Sequence, residues 1–273
     1  MDGVRIGCLD VIMPAYNAAD TIAESVRSAL AFPLCRRVFV VDDASRDDTA
    51  AIVEALAVQA ADRVVLTRLT RNGGPAYARN IGLALAETGL VAFLDADDLY
   101  EERALDVAVA ALHGMPDLAL LRLALSPLGL DPAYRDHPLF PEAWARVTFS
   151  TPSNVVARRR SIVDAGGFPE NDLFRRQGGE DVALFKAITR TCRTGTLFTQ
   201  PGVLYRIRPD CAALRLLRAY LEPKPSPEIE ADLPRAEAIT ERIMQRLQIL
   251  SPLAVQEPAV VEVLITWSQA GAD

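Results

Sequence analysis

Four short apolar runs, CLDVIMP (8–14), VFVV (38–41), VVLTRL (64–69) and LVAFLD (90–95), punctuate the first hundred residues, with helical periodicity between them. Runs that are apolar throughout, rather than at every second residue, suit strands buried on both faces. Helices between such strands put them parallel in one sheet covered on both sides. After the first run Ile22, Val26, Ala29 and Leu30 share a helical face that Asp20 is placed to cap. Ile52, Val53 and Leu56 mark a second helix begun near Asp47 and Asp48. Ala78, Ile81 and Leu85 point inward from a third, whose first turn takes Pro75. Leu105, Val109 and Leu112 mark a fourth. The fold class is therefore α/β, a mostly parallel sheet with helices on both faces. Asp10, inside the first apolar run, has no explanation at this level.

The second half is less regular. Residues 126–146 hold four prolines and little periodicity, which reads as a long surface segment. VTFS (147–150) and NVVARR (154–159) read as strands, GGEDVALFKAI (178–188) as a turn entering a helix, and VLYRI (203–207) as a late strand. PKPSP from 223 is a linker signal. Beyond it Ile229, Leu233, Ala236, Ile243, Leu247 and Leu250 form an amphipathic stripe, and a last helix is expected around Val260–Trp267. The reading divides the chain into a main domain, 1–222, and a C-terminal helical extension, 223–273. Within the main domain, 1–117 and 118–222 form two halves. Packing of the extension on the main domain is the first expectation, and a homodimer through the C-terminal helices the second. Glu228, Glu230, Asp232 and Glu237 make it unlike a lysine- and arginine-rich membrane-surface helix.

Composition removes several functions. Half of the 273 residues are hydrophobic and about a quarter charged, a globular balance, and the net charge of −7 argues against nucleic acid as a partner. Cys8, Cys35, Cys192 and Cys211 form no CxxC pair, so neither a zinc site nor a disulfide framework is indicated. Asp2, Arg5 and Asp10 interrupt any apolar leader, so no signal peptide is expected. No segment reaches the ~20 apolar residues of a membrane span; the best, LALLRLALSPLGL (118–130), is broken by Arg122 and Pro127. The expected location is the cytoplasm, with peripheral attachment to the inner face of the membrane left open.

In open parallel sheets, ligands bind beyond the carboxyl ends of the strands. Polar residues crowd all four of these ends: Tyr16 and Asn17, Asp42 and Asp43, Asn72 and Gly73, and the cluster Asp95, Asp97 and Asp98. Any one of them suits a turn or cap, and Asp47 and Asp48 are better explained that way. Like charges about 4 Å apart repel by about 4 kcal/mol at a half-buried site, so carboxylates that converge call for a cation. No GxGxxG follows the first strand, and no Walker lysine loop is present. A diphosphate can instead be held through a divalent cation such as Mg²⁺, with one or two carboxylates on the metal and phosphate oxygens completing its shell. Asp97, with Asp95 beside it, is the candidate, and Asp98 is read as a cap of the next helix.

PAYN (14–17), VVDDAS (40–45), RNGGPAYARNIGL (71–83), FLDADD (93–98) and GGED (178–181) occur in that order. Together they resemble the family-two inverting glycosyltransferases, over roughly residues 8–208. The resemblance implies a Rossmann-like, glycosyltransferase A-type fold, with a nucleotide-binding half at 1–117 and an acceptor half at 118–222. It implies inverting transfer of a single sugar from a nucleotide-diphosphate sugar, expected to be a UDP-sugar, to an acceptor hydroxyl in polysaccharide or glycoconjugate synthesis. Pro14, Ala15, Tyr16 and Asn17 would line the base pocket, and Asp43 would accept a hydrogen bond from the base. Asn72 and Arg79 would lie near base and phosphates, Asp95 would face ribose or sugar, and Asp97 would bind the metal. Asp181 would be the general base, ionised at a helix start, with Glu180 the runner-up.

Two departures qualify the match. YRIRPD (205–210) puts Arg206 or Arg208 where the family often has a metal-binding histidine, and the QxxRW motif of processive synthases is absent. His113 and His137 read as ordinary surface residues. Trp144, Phe149 and Phe174 are candidates for stacking on a sugar, with at least two expected to be packing residues. The alternatives are a sugar-nucleotide-binding protein of weak turnover and a nucleotidyltransferase.

Overall fold

The computed structural model describes residues 8–209, 211–222 and 227–264, and of residues 227–230 only the backbone element. The linker signal at 223–226, the leader region at 1–7 and Trp267 lie outside the described residues. In chain order the first half contains β1 (Leu9–Ala15), α1 (Ile22–Leu30), β2 (Cys35–Asp42), α2 (Thr49–Gln59), β3 (Val64–Arg68), α3 (Pro75–Leu85), β4 (Leu90–Phe93), β5 (Leu99–Tyr100) and α4 (Ala104–Gly114). The second half contains β6 (Leu120–Leu123), β7 (Leu125–Leu128), α5 (Pro132–Arg135), α6 (Phe140–Ser150), β8 (Val155–Arg158), α7 (Arg159–Ala165), α8 (Asp172–Gln177), α9 (Glu180–Thr189), β9 (Thr194–Leu197), β10 (Val203–Arg206), α10 (Ala212–Leu221), α11 (Pro227–Leu250) and β11 (Val260–Glu262).

The main sheet runs β11-β9-β6-β8-β4-β1-β2-β3, and a small second sheet runs β5-β10-β7. The main sheet is parallel except at β8, which is antiparallel to both β4 and β6. The chain leaves β1 outward to β2 and β3, then returns to the other side of β1 with β4. The β1–β4 junction is thus a topological switch point, where the crossovers diverge and open a crevice at the carboxyl ends. The continuous apolar runs serve two cores at once. Val11 and Met13 pack with α1, α2 and α4, while Ile12 packs on the opposite layer with Val91, Phe93 and residues of α3 and α9. Helix α3 approaches β1 closely: a Cβ on Gly82 would stand 2.5 Å from Ile12 Cγ2.

Asp10 finds its reason here. It is fully buried and accepts hydrogen bonds from the Glu87 and Thr88 amides at 2.8 and 3.0 Å. Arg36 Nη1 lies 3.6 Å away. The carboxylate thereby satisfies the backbone between α3 and β4, just before the strand that ends in the acidic cluster.

Several expectations change. Asp20 does not cap α1; Thr21 is the N-cap, without a side-chain cap bond. Leu85 is exposed, and Arg79 and Gly82 take buried places on α3 instead. The segment 126–146 is not irregular surface but carries β7, α5 and the start of α6. VTFS is helical because Val147 and Trp144 bury on one face of α6 and Thr148 Oγ1 bonds Trp144 O at 3.0 Å, so packing overrides β-branched propensity. The stretch from Val260 is a strand paired with β9 rather than a helix. On α11, Ile239, Ile243 and Leu247 are buried in the second core layer, while Leu233 and Leu250 stay exposed. Glu237 ties this helix to α9 through Lys186 at 2.5 Å and Arg190 at 2.6 Å. Among the described residues no helix is long and apolar enough to cross a membrane.

Asp10→Ala leaves the buried Thr88 amide and the partly buried Glu87 amide without an acceptor. It is expected to cost roughly 2–4 kcal/mol, read as a lower urea midpoint with unchanged slope; a loss under 0.5 kcal/mol would contradict the assignment.

Candidate functional site

Beyond the carboxyl ends of β1, β2 and β4 the polar residues anticipated from the sequence share one rim. Asn17 follows β1 with a positive φ of 49° and joins the loop after β2: its amide donates to Ser45 Oγ and its Oδ1 accepts from the Arg46 amide, both at 2.9 Å. Tyr16 is exposed, Ala15 is buried and Pro14 is half-buried. Asp48 is the N-cap of α2 without a side-chain cap bond, while Asp47 accepts the Thr49 amide and the Ala19 amide, each at 3.1 Å, which fits its turn chemistry.

Asp43 has a task that the sequence did not disclose. Its Oδ1 and Oδ2 accept the Gly73 and Gly74 amides at 2.6 and 2.8 Å, and its carbonyl accepts Asn72 Nδ2 at 3.3 Å. Gly74, at φ 88°, is the N-cap of α3, a conformation natural to glycine. Asp43 thus holds the entry to the helix that carries Arg79, and each of its oxygens retains a second lone pair.

Arg79 is the hub. Only 4% exposed, it donates from Nη2 to Asp95 Oδ1 at 2.7 Å and from Nη1 to Glu180 Oε1 at 3.1 Å, and its guanidinium lies 5.4 Å from the Phe168 ring centroid. Burial works against its charge, but Asp95, Glu180 and Asp181 outweigh burial and raise its pKa. One fork therefore ties the end of β4 to the start of α9. The Asp95 amide is fixed in turn by Ser153 Oγ at 3.1 Å, from the segment entering β8.

Asp97 and Asp98 lie in the same turn. Burial and the Asp95 charge raise the pKa of Asp97, while Arg208 opposes them with Nη2 at 2.5 Å from Oδ2. Asp98 is not a helix cap: it is 1% exposed, accepts the Arg206 amide at 3.0 Å, and is pushed well above the usual carboxylate range by burial, Asp97 and Asp95. Asp181 corrects another expectation. Its place at the start of α9 does not keep it strongly acidic; burial and Glu180, partly offset by Arg79, raise it to about 7. Glu180 is committed to Arg79, while Asp181 Oδ1 accepts only a local bond, from the Val182 amide at 2.7 Å, in the set of hydrogen bonds described.

Asp95 and Asp97 are the residues here that suit a divalent cation. Among the described residues no group of three or more His, Cys, Asp or Glu is gathered for a metal. Two carboxylates fit a cation whose remaining ligands are phosphate oxygens and water, and they do not make a closed protein cage. His113 is exposed, and the half-buried His137 accepts the Leu139 amide at Nδ1, 3.1 Å away.

In the second half of the chain, the candidate aromatics separate. Trp144 and Phe174 are buried packing residues, whereas Phe149 is 45% exposed and meets Phe198 edge-on at 5.6 Å. Phe198, 39% exposed, was not anticipated; its place directly after a strand end was the available signal. Beneath Phe149 lies Arg122, 3% exposed, which bonds Thr148 O, Thr151 O and Asn154 Oδ1 at 3.2 Å each. Its guanidinium also lies over the ring of Phe185, one turn beyond Asp181 in α9. Burial lowers its pKa to about 10.

The sheet order, switch point and acidic rim define a protein of the glycosyltransferase A type. The family model Glycosyl transferase family 2 matches residues 10–167, more than half of the chain, and the chain belongs to that family. It is similar to the succinoglycan biosynthesis protein ExoU of Rhizobium meliloti, 46% identical over 90 residues, a match covering 33% of this chain and 26% of ExoU. The matched stretch is thus about a quarter of that relative's length. In three dimensions the chain resembles S. aureus TarS 1–349 in complex with UDP, with TM-score 0.59, 21% identity, and 89% of this chain and 72% of that one covered. It also resembles the mannosyltransferase PcManGT from Pyrobaculum calidifontis in complex with GDP-Man and Mn²⁺, with TM-score 0.57, 22% identity, and 88% and 72% covered.

The raised pKa of Asp181 has a consequence for stability. A carboxyl that keeps its proton to about pH 7 when folded, but only to about 4 when unfolded, favours the folded state at low pH and loses that benefit as pH rises. Asp181→Asn is therefore expected to raise the melting temperature at pH 8 more than at pH 5. An equal or reversed effect in thermal unfolding would contradict the assigned ionisation.

Proposed function

We propose that this chain transfers a single sugar from a nucleoside-diphosphate sugar, UDP being the expected nucleotide, to an acceptor hydroxyl with inversion. The observation that carries the reading is the Arg79 fork, which brings the acidic end of β4 and the only uncommitted carboxyl of the Glu180–Asp181 pair to one rim. Pro14, Ala15, Tyr16 and Asn17 border the base; the free lone pairs of Asp43 suit its ring N–H; Asn72 shapes the loop beneath. Asp97 and Asp95 would hold Mg²⁺ or Mn²⁺, which when bound stabilises negative charge on the leaving diphosphate. Titles of solved neighbours name UDP, and GDP-Man with Mn²⁺, and a relative's name places it in succinoglycan biosynthesis; these support the ligand class without specifying the donor here.

Asp181 then acts as general base. The acceptor oxygen attacks the anomeric carbon on the face opposite the diphosphate, the bond from that carbon to the diphosphate oxygen breaks, and the acceptor proton passes to Asp181. Such a base contributes typically about 10²–10⁴-fold, and a pKa near 7 suits the task better than that of an ordinary aspartate. Arg79 and Glu180 position rather than react. The exposed Phe149 and Phe198 pair offers an apolar platform on the acceptor side, where adjacent strands are about 4.8 Å apart and β9 lies three strands from β4.

Screening nucleotide sugars for thermal stabilisation identifies the donor. With it, Asp181→Asn is expected to keep nucleotide binding and lower transfer by at least about 10²-fold; transfer near the parent rate overturns the base assignment. The parent rate should rise with pH through an apparent pKa near 7, and Glu180→Gln should move that limb to lower pH. Asp97→Ala should abolish the gain in UDP affinity that Mn²⁺ confers, measured by calorimetry. Pyrophosphate release from a triphosphate would instead indicate nucleotidyl transfer.

A further inference from the structure

The three carboxylates of the β4 turn each have a partner, and the partners differ in kind. Asp95 is held by the buried Arg79, and Asp98 by the Arg206 amide. Asp97 is held by Arg208, whose side chain is 52% exposed while that of Asp97 is 14% exposed. Arg206 is committed: besides its amide, Nε donates to the Asp97 carbonyl at 3.0 Å and Nη2 to Glu24 at 2.7 Å. Arg208 lies two residues beyond, past the end of β10, and spans to Asp97 from open solvent. The pair therefore joins an anchored anion to a cation on a long, flexible stem.

We propose that Arg208 is an exchangeable counter-ion: it neutralises Asp97 in the nucleotide-free protein and passes to the diphosphate when the nucleotide binds, releasing Asp97 to the divalent cation. The inference rests on the nucleotide-sugar reading of the rim and adds an order to it. A cation arriving alone must displace a guanidinium 2.5 Å from Asp97 Oδ2 and finds no third acidic, histidine or cysteine ligand gathered among the described residues. A diphosphate arriving first offers Arg208 several anionic oxygens, two of which a guanidinium fork can bond side by side. It also brings oxygens to complete a metal's shell. Nucleotide and metal thus promote each other's binding, and by linkage the coupling is reciprocal.

The full chain tests this with two probes. Free Mn²⁺ is titrated without nucleotide and followed by its electron paramagnetic resonance signal; UDP is titrated calorimetrically in Mn²⁺ and in EDTA. Arg208→Ala is expected to tighten Mn²⁺ alone severalfold, because Asp97 loses its competitor, and to weaken UDP in EDTA about tenfold or more. Arg208→Lys should fall between, keeping the charge without the fork. Opposite movement of the two affinities is the signature, since a merely structural role would weaken both. If the parent binds UDP but the variant leaves both affinities unchanged, or weakens both, the counter-ion exchange is overturned while the functional reading stands. If the parent binds UDP under neither condition, the functional reading falls and the exchange with it.

Discussion

The buried Arg79 fork is the interaction on which the rest of the site depends. It joins two carboxylates 101 and 16 residues away in sequence, Glu180 and Asp95, and it does so with 4% of the side chain exposed. Removing one partner from such a pair is strongly unfavourable because the other charge is left buried and uncompensated. The fork therefore welds the β4 turn to the N-terminus of α9. Asp43 secures the same arrangement from the other side by holding Gly73 and Gly74, the entrance to the helix on which Arg79 rides.

This weld gives neighbouring carboxyls different properties. Glu180 spends its charge on Arg79, and that charge, together with burial, keeps a proton on Asp181 to about pH 7. Asp95 and Asp97 remain at the mouth of the switch-point crevice with arginines as their counter-ions. A single turn of chain thus presents a pair of carboxyls, while a third, next to the Glu180 that Arg79 holds, keeps its proton to about pH 7. The division of labour arises from partners rather than from residue type.

The first half of the chain was legible because its strands are buried on both faces and so carry continuous apolar runs. β1 to β4 fall within one to three residues of the runs read from the sequence, and polar residues at their ends reach one rim. The second half was not legible for the opposite reasons. β9 is TGTL, with little apolar character, and prolines at 127, 132, 138 and 141 obscure the periodicity of β7, α5 and α6. Asp10 could be seen but not explained, and the bonds of Asp43 to the α3 entrance could not be seen, since these acceptor roles depend on backbone amides 77 and 30 residues away respectively. The ionisation of Asp181 was misjudged from its local helix position, because a neighbour's charge and burial dominate a helix-end effect. Phe149 and Phe198 meet only through the tertiary fold.

We propose that the acidic end of β4 is where a cation-held diphosphate docks. A crystal of the chain grown with UDP and Mn²⁺, with manganese located by its anomalous signal, tests it directly. Manganese bound by Asp97 and by diphosphate oxygens, with the uracil on the Tyr16 and Asp43 side, is the expected result. Manganese or diphosphate bound away from Asp95 and Asp97 would contradict it.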